Sequence, residues 1–302
     1  MVDRITLQSA LQASVDKEIA ERTQAHQEEV ARLLSAAKVL SANGVAGPQM
    51  PLSLLAHGDS WFDYPLDGNS LSGMGNTDVI AHLSVAGVIH PLILNLSHYG
   101  DATTDEMGLS HQERMITALN DPDNWPTPTK KPDAILFSGG GNDIVGEQFC
   151  IFLNYYQAGA SGLDMQRFQE KLQAVAASYR DLFAFRDRYA PGVPIFAHTY
   201  DFAIPDGRHP PCAGPWLKPS LDFAGWTVAA DCAAIVRLAL QEFQNVLSSL
   251  AAVPANNFAL ALTQGTLTSD EWANELHPTS MGFADIAERM LLALRTRFPG
   301  RI

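Results

Sequence analysis

A chain of 302 residues, 46% hydrophobic and 18% charged, is long enough for one large core with embellishments or for two smaller ones; the spacing of its apolar runs fits one domain behind an N-terminal extension. Its 33 acidic residues against 20 Lys and Arg leave a formal charge of −13 with no basic run, which speaks against a nucleic-acid partner. No apolar run reaches bilayer length, and Met1-Val2-Asp3-Arg4-Ile5-Thr6 lacks the layout of a secretory signal, so a cytoplasmic protein without a membrane span is expected, although a removed signal would not show.

Leu11, Val15, Ile19, Val30, Leu33, Leu34 and Ala37 recur at helical spacing with charges between them, which predicts a long amphipathic helix. Thr23 and His26 interrupt its apolar stripe, so one unbroken coiled coil is not expected. Packing on its own domain is preferred to pairing with a second copy, the arrangement that would make a homo-oligomer. Ser41-Ala42-Asn43-Gly44 and Gly47-Pro48 end the helix, dividing the chain into an extension over 1–50 and a domain over 51–302.

The domain repeats one theme. Short apolar strands are predicted at 52–56, 92–96, 134–137, 194–197 and 258–262, with helices at 77–85, 104–119, 165–189, 228–250 and 280–298. Alternating strands and helices imply a parallel five-stranded sheet covered on both faces, a three-layer α/β/α fold, with the site built from loops at the strands' carboxyl ends. A Gly-, Asn- and Ser-rich loop at 68–76 and a proline-rich insertion at 201–219 break the rhythm, and the insertion reads as a substrate-covering lid. Cys150, Cys212 and Cys232 match neither a zinc spacing nor a disulfide framework, and a bridge between Cys212 and Cys232 is not favoured.

The first strand runs into His57-Gly58-Asp59-Ser60-Trp61-Phe62-Asp63-Tyr64. Gly58 closes it in a tight turn, and the backbone beyond is expected to open a helix whose free N–H groups favour developing negative charge, a suitable place for nucleophilic Ser60. Read only as structure, Asp59 and Ser60 cap that helix. The second strand ends at Asn95-Leu96-Ser97-His98-Tyr99-Gly100-Asp101 and the third at Ser138-Gly139-Gly140-Gly141-Asn142-Asp143, while Asn274-Glu275-Leu276-His277-Pro278-Thr279 opens the last helix. Serine, glycine, asparagine and histidine in that order resemble the four blocks of the SGNH hydrolases, the GDSL-type esterases and lipases, with Trp61 where leucine is commoner. The resemblance spans about 52–298.

It implies a flavodoxin-like sheet and a cofactor-independent carboxylic ester hydrolase using no metal. Ser60 would attack an ester carbonyl, with His277 as general base and then acid. The Ser60 and Gly100 N–H groups and the Asn142 amide would form the oxyanion hole. His98 is expected to be structural. Trp61, Asp59, His198 and Trp216 are candidate substrate contacts, and Phe62, Tyr64 and Phe202 either join them or simply pack.

Asn274 departs from the pattern, because the family usually has an aspartate there to orient the imidazole. Three readings stand: Asn274 or a backbone carbonyl holds His277 in a working dyad; Glu275, Asp270 or Glu271 supplies the carboxylate; or the site is weakened into a binding or assembly protein. The first two together are preferred, since Ser60, Gly100, Asn142 and His277 are all present. Esterase, thioesterase and glycan deacetylase chemistry would use the same residues. A metal-dependent phosphoesterase, suggested by His57-Gly58-Asp59 and Gly141-Asn142-Asp143, lacks enough ligands.

Overall fold

A computed structural model describes residues 4–44, 49–65, 77–208 and 214–302. Among these, five strands, β1 (Ser53–Gly58), β2 (Leu92–Asn95), β3 (Ala134–Ser138), β4 (Ile195–His198) and β5 (Phe258–Ala261), form one parallel sheet in the order β2-β1-β3-β4-β5. The central strands are covered on both faces, as their unbroken apolar runs predict: Leu54, Leu55, Ala56 and all of Ala134 to Phe137 have no exposed surface. The strand order reverses between β1 and β3, which places a crevice at their carboxyl ends. Ser60 follows β1 and Asn142 follows β3.

The helices are α1 (Arg4–Ala42), α2 (Val79–Leu83), α3 (Thr103–Glu106), α4 (Leu109–Asn120), α5 (Gly141–Ile144), α6 (Met165–Tyr189), α7 (Lys218–Phe223), α8 (Ala229–Ala251) and α9 (Ser280–Arg297). α2 and α9 pack together on one face of the sheet, while α3, α4, α6 and α8 cover the other. Side-chain caps set several starts: Asp164 accepts the Arg167 N–H, and Thr279 accepts that of Gly282. The single helix expected over 104–119 is two, broken at Gly108, where a β-carbon would stand 2.8 Å from the Asp105 carbonyl.

α1 lies along the edge strand β2, covering a row of backbone groups that would otherwise invite another strand. Ile19 and Val30 are buried, and so is His26, whose Nε2 lies 2.8 Å from the Asn124 carbonyl. Arg22 bridges to Asp63 at 2.6 Å and donates to the Ser97 carbonyl at 3.1 Å. Of the two residues that interrupt the apolar stripe, His26 docks the helix, whereas Thr23 donates to the Ile19 carbonyl of its own helix at 2.8 Å. The loop expected at 68–76, and Cys212 with it, lie outside the described residues; the Cys232 thiol donates to the Trp226 carbonyl at 3.1 Å.

Candidate active site

The turn that carries Ser60 is fixed from below. β1 and β3 meet so closely at Gly58 that a β-carbon there would fall 2.4 Å from the Ser138 carbonyl oxygen. Asp59 donates its N–H to that same oxygen at 3.0 Å, and its own carbonyl accepts from Phe62 and Asp63. The helix expected here does not form: the chain makes one turn and passes into Tyr64-Pro65, where proline disfavours a helical residue before it. Backbone N–H groups at Ser60 therefore belong to a turn rather than to a long dipole.

Asp59 and His198, expected as substrate contacts, are instead spent beneath the serine. The Asp59 carboxylate accepts from the Trp61 N–H (3.0 Å), Ser138 Oγ (2.7 Å) and Tyr200 Oη (2.5 Å), and burial pushes it up to about 6. Because Ser138 gives its one proton to Asp59, the contact of 2.8 Å between Ser138 Oγ and His198 Nε2 requires the proton on that nitrogen. His198 Nδ1 then accepts the Tyr200 N–H at 3.1 Å, and burial holds the ring neutral, down to about 3. Trp61 stacks on this imidazole at 5.1 Å.

His277 arrives from the far end of the chain. Its Nε2 lies 2.8 Å from Ser60 Oγ, and its Nδ1 lies 3.1 Å from Asn274 Oδ1. The same oxygen accepts the backbone N–H groups of Leu276 (3.0 Å) and His277 (2.9 Å). Two backbone donors can face only the oxygen of the amide, so the Asn274 side chain is not free to flip. Nδ1 must therefore carry the hydrogen, leaving the Nε2 lone pair for the serine hydroxyl. Burial pushes His277 down to about 4, so the imidazole is neutral at physiological pH.

The alternative carboxylates are turned elsewhere. Asp270 and Glu271 bond Thr268. Glu275, fully buried, accepts four backbone N–H groups of the proline-rich insertion: Gly207 and Lys218 on Oε1 at 3.0 Å, Trp216 and Leu217 on Oε2 at 2.5 and 2.8 Å. It is not the substitute for the missing aspartate. The ring of Trp216 stands edge-on to His277 at 5.5 Å, and Tyr64 packs on the other side at 5.1 Å.

Asn142 sits in α5, whose approach is built by close packing rather than by a loose turn. Gly140 has φ +112°, and a β-carbon there would be 2.3 Å from Phe243; at Gly139 one would meet Glu106 at 2.2 Å. The Asn142 amide donates one hydrogen to the Asp101 carbonyl at 2.9 Å and has a second to offer. Gly100, at φ +89°, is next to Asp101 on the adjoining turn, outside the residues that line the cavity. His98 stacks on Tyr99 at 4.4 Å, with its Nδ1 3.8 Å from the Asp101 carboxylate. The His57-Gly58-Asp59 string scatters too, because His57 Nε2 faces the Glu106 carbonyl at 2.9 Å. Among the described residues no three His, Cys, Asp or Glu side chains gather as metal ligands.

Ser60, Trp61, Asn142 and His277 open onto one cavity of about 540 Å³, part of it continuous with solvent. Its remaining wall is mainly apolar: Ile144, Phe149, Leu217, Val236, Ala239 and Leu240. None of these six was singled out from the sequence. Val236, Ala239 and Leu240 follow the stripe of α8, where a residue facing a cavity has the same spacing as one facing the core.

No protein-family model and no curated protein matches the chain. Solved structures do. The extracellular lipase of Streptomyces rimosus is similar with a TM-score of 0.50 at 17% identity, covering 80% of this chain and 99% of that one. A catalytic mutant of an acetylxylan esterase from Geobacillus stearothermophilus gives 0.47 at 16% identity, over 82% and 96%. A lipase from a goat rumen metagenome gives 0.48 at 16%, over 80% and 97%. What is shared with the first of these, at 17% identity, is the fold, the α/β architecture that the resemblance to SGNH hydrolases implied.

Proposed function

We propose that the protein is a carboxylic ester hydrolase of the SGNH type, with Ser60 as nucleophile. The observation that carries this reading is the contact of 2.8 Å between Ser60 Oγ and His277 Nε2, with the imidazole held in the one tautomer that can take the serine's proton. Attack of Oγ on an ester carbonyl forms the carbon–oxygen bond while the hydroxyl proton passes to Nε2. The resulting oxyanion is met by the second Asn142 amide hydrogen and by the N–H groups of Ser60 and Gly100. Collapse expels the alcohol, which takes the proton from His277 and leaves an acyl-serine. Water then adds to that ester, giving its proton to His277, and release of the acid restores Ser60 Oγ–H. The whole cycle draws on the chain's own groups and water.

Asn274 favours a working enzyme over a weakened binder. In serine proteases, exchanging the orienting aspartate for asparagine costs about 10⁴ in kcat because the wrong tautomer is held. Here two backbone donors turn the amide oxygen toward the ring, so the tautomer is right and only the carboxylate's charge is missing. The test is hydrolysis of p-nitrophenyl esters by the wild type, Ser60→Ala and His277→Ala. Turnover by the wild type that falls at least about 10³-fold in both variants supports the reading; equal rates in all three would refute it.

A further inference from the structure

Ser60 and Asn142, two of the three donors proposed for the oxyanion, stand on turns that leave different strands, β1 and β3. One side chain touches the residue immediately before each of them. The Tyr200 hydroxyl donates to the Asp59 carboxylate at 2.5 Å, and the Tyr200 ring lies against Gly141, where a β-carbon would stand 2.9 Å from Cζ and 3.2 Å from Oη. The ring also meets Trp61 edge-on at 5.1 Å. It borders the same cavity as Ser60, Asn142 and His277.

Tyr200 is held in a backbone conformation that a bulky side chain disfavours. Its φ is +54°, in the left-handed region, and of the described non-glycine residues with positive φ, Lys130, Tyr200 and Asn257, it alone is buried. The surroundings hold it there. Its N–H donates to His198 Nδ1 at 3.1 Å, and its carbonyl accepts from Thr263 Oγ1 at 2.7 Å. Thr199 Oγ1 takes the Thr263 N–H at 3.0 Å and lies 3.1 Å from Thr263 Oγ1, and both threonines are fully buried. Four bonds then close a circuit: Tyr200 N–H to His198, His198 to Ser138, Ser138 to Asp59, and the Tyr200 hydroxyl to Asp59. Backbone strain maintained by so many partners beside a reactive serine points to a functional constraint.

We propose that Tyr200 is a positioning residue that sets the spacing of the oxyanion donors, clamping the turn of Ser60 to the turn of Asn142 through Asp59 and Gly141. This deepens the hydrolase reading and rests on it. The hydroxyl has one hydrogen, and that hydrogen is on Asp59, so Tyr200 takes no part in the proton transfers. Without the hydroxyl, the Asp59 carboxylate keeps Ser138 and the Trp61 N–H but loses its link to the ring on Gly141. The separation of the two donors is then no longer fixed. The ester still meets the same cavity wall, so the loss falls on the charge that develops during attack and not on substrate binding.

The experiment measures kcat and KM for p-nitrophenyl esters in the wild type, Tyr200→Phe, Asn142→Ala and the double variant. Active sites are counted by fluorophosphonate titration, so misfolded protein does not enter kcat. Tyr200→Phe is expected to lower kcat by about 10- to 100-fold while KM stays within about twofold. In the double variant the loss should be smaller than the product of the two single losses, because the clamp acts partly through the donor already removed. A general structural defect would multiply them. Gly141→Ala, which crowds the ring and leaves the hydroxyl in place, is expected to show the same split between kcat and KM, and it carries the test should Tyr200→Phe yield no titratable sites. A Tyr200→Phe kcat within about threefold of an active wild type overturns this inference and leaves the hydrolase standing. So does a loss confined to KM, which would make the ring a substrate contact, and so do losses that multiply. A wild type that neither labels nor turns over any ester removes both readings.

Discussion

The side-chain oxygen of Asn274 lies 3.1 Å from Nδ1 of His277 while accepting the backbone N–H of that same histidine at 2.9 Å. One short loop thereby orients its own imidazole without a carboxylate. Neutrality has a consequence for pH: nothing charged at Asn274 favours the imidazolium, and burial pushes His277 down to about 4. The base form is therefore present at all pH values above that point and is lost only as pH falls through it.

The acid limb of kcat/KM should accordingly lie near pH 4, well below the ordinary histidine value. Asn274→Asp places a negative charge beside the ring, favours its protonated form and should move the limb upward by about one to three pH units. At neutral pH the same charge stabilises the imidazolium formed during attack, so kcat should rise by about tenfold. A pH–rate profile of both proteins checks the two effects together. An unchanged limb in the variant would contradict the assignment of His277 as the base.

Asn142→Ala removes the side-chain donor proposed for the oxyanion, and kcat should drop by about 10²–10³ with little change in KM. The Asp101 carbonyl also loses a partner, so circular dichroism and a melting curve should accompany the kinetics. A fall confined to KM would place Asn142 in substrate binding rather than at the developing charge.

The strands were legible because a strand buried on both faces is an unbroken apolar run, as over 134–137. Ser60, Asn142 and His277 were singled out through the blocks that resemble SGNH hydrolases, and the three line one cavity. The short helices α5 and α7 were not, since four and six residues are too few for a periodic stripe. Glu275 stayed one alternative among several for a related reason: in an irregular loop, adjacent residues point in unrelated directions, so proximity to Asn274 in sequence said nothing about the imidazole. The polar middle of α1 looked like a weakness because its partners, Asp63, Ser97 and Asn124, are distant in sequence.

Gly140→Ala should destabilise the fold by about 2–5 kcal/mol, combining overpacking of about 1–3 with left-handed strain of about 1–2. The new β-carbon would sit 2.3 Å from Phe243 with φ at +112°. Chemical denaturation measures this. A stability close to wild type would mean that the turn before Asn142 adapts, contrary to the close packing described.

Arg22 ties α1 to Asp63, two residues past Trp61, and to the Ser97 carbonyl at the end of β2. Burial raises Asp63 despite this partner, so the pair does little more than offset its own desolvation. Arg22→Ala should therefore cost about 1–3 kcal/mol by leaving a half-buried carboxylate unpaired, and adding Asp63→Ala should recover part of that loss. Thermal or urea denaturation of the three variants completes the cycle. Additive losses would show that the two side chains act independently.

The central claim is that Ser60 is an activated nucleophile, and covalent capture tests it most directly. The protein is incubated with a fluorophosphonate, digested and mapped by mass spectrometry, alongside Ser60→Ala and His277→Ala. The account predicts one phosphonyl adduct on Ser60 in the wild type, none in Ser60→Ala and strongly slowed labelling in His277→Ala. An unlabelled Ser60, or an adduct that forms as fast without the imidazole, would contradict it.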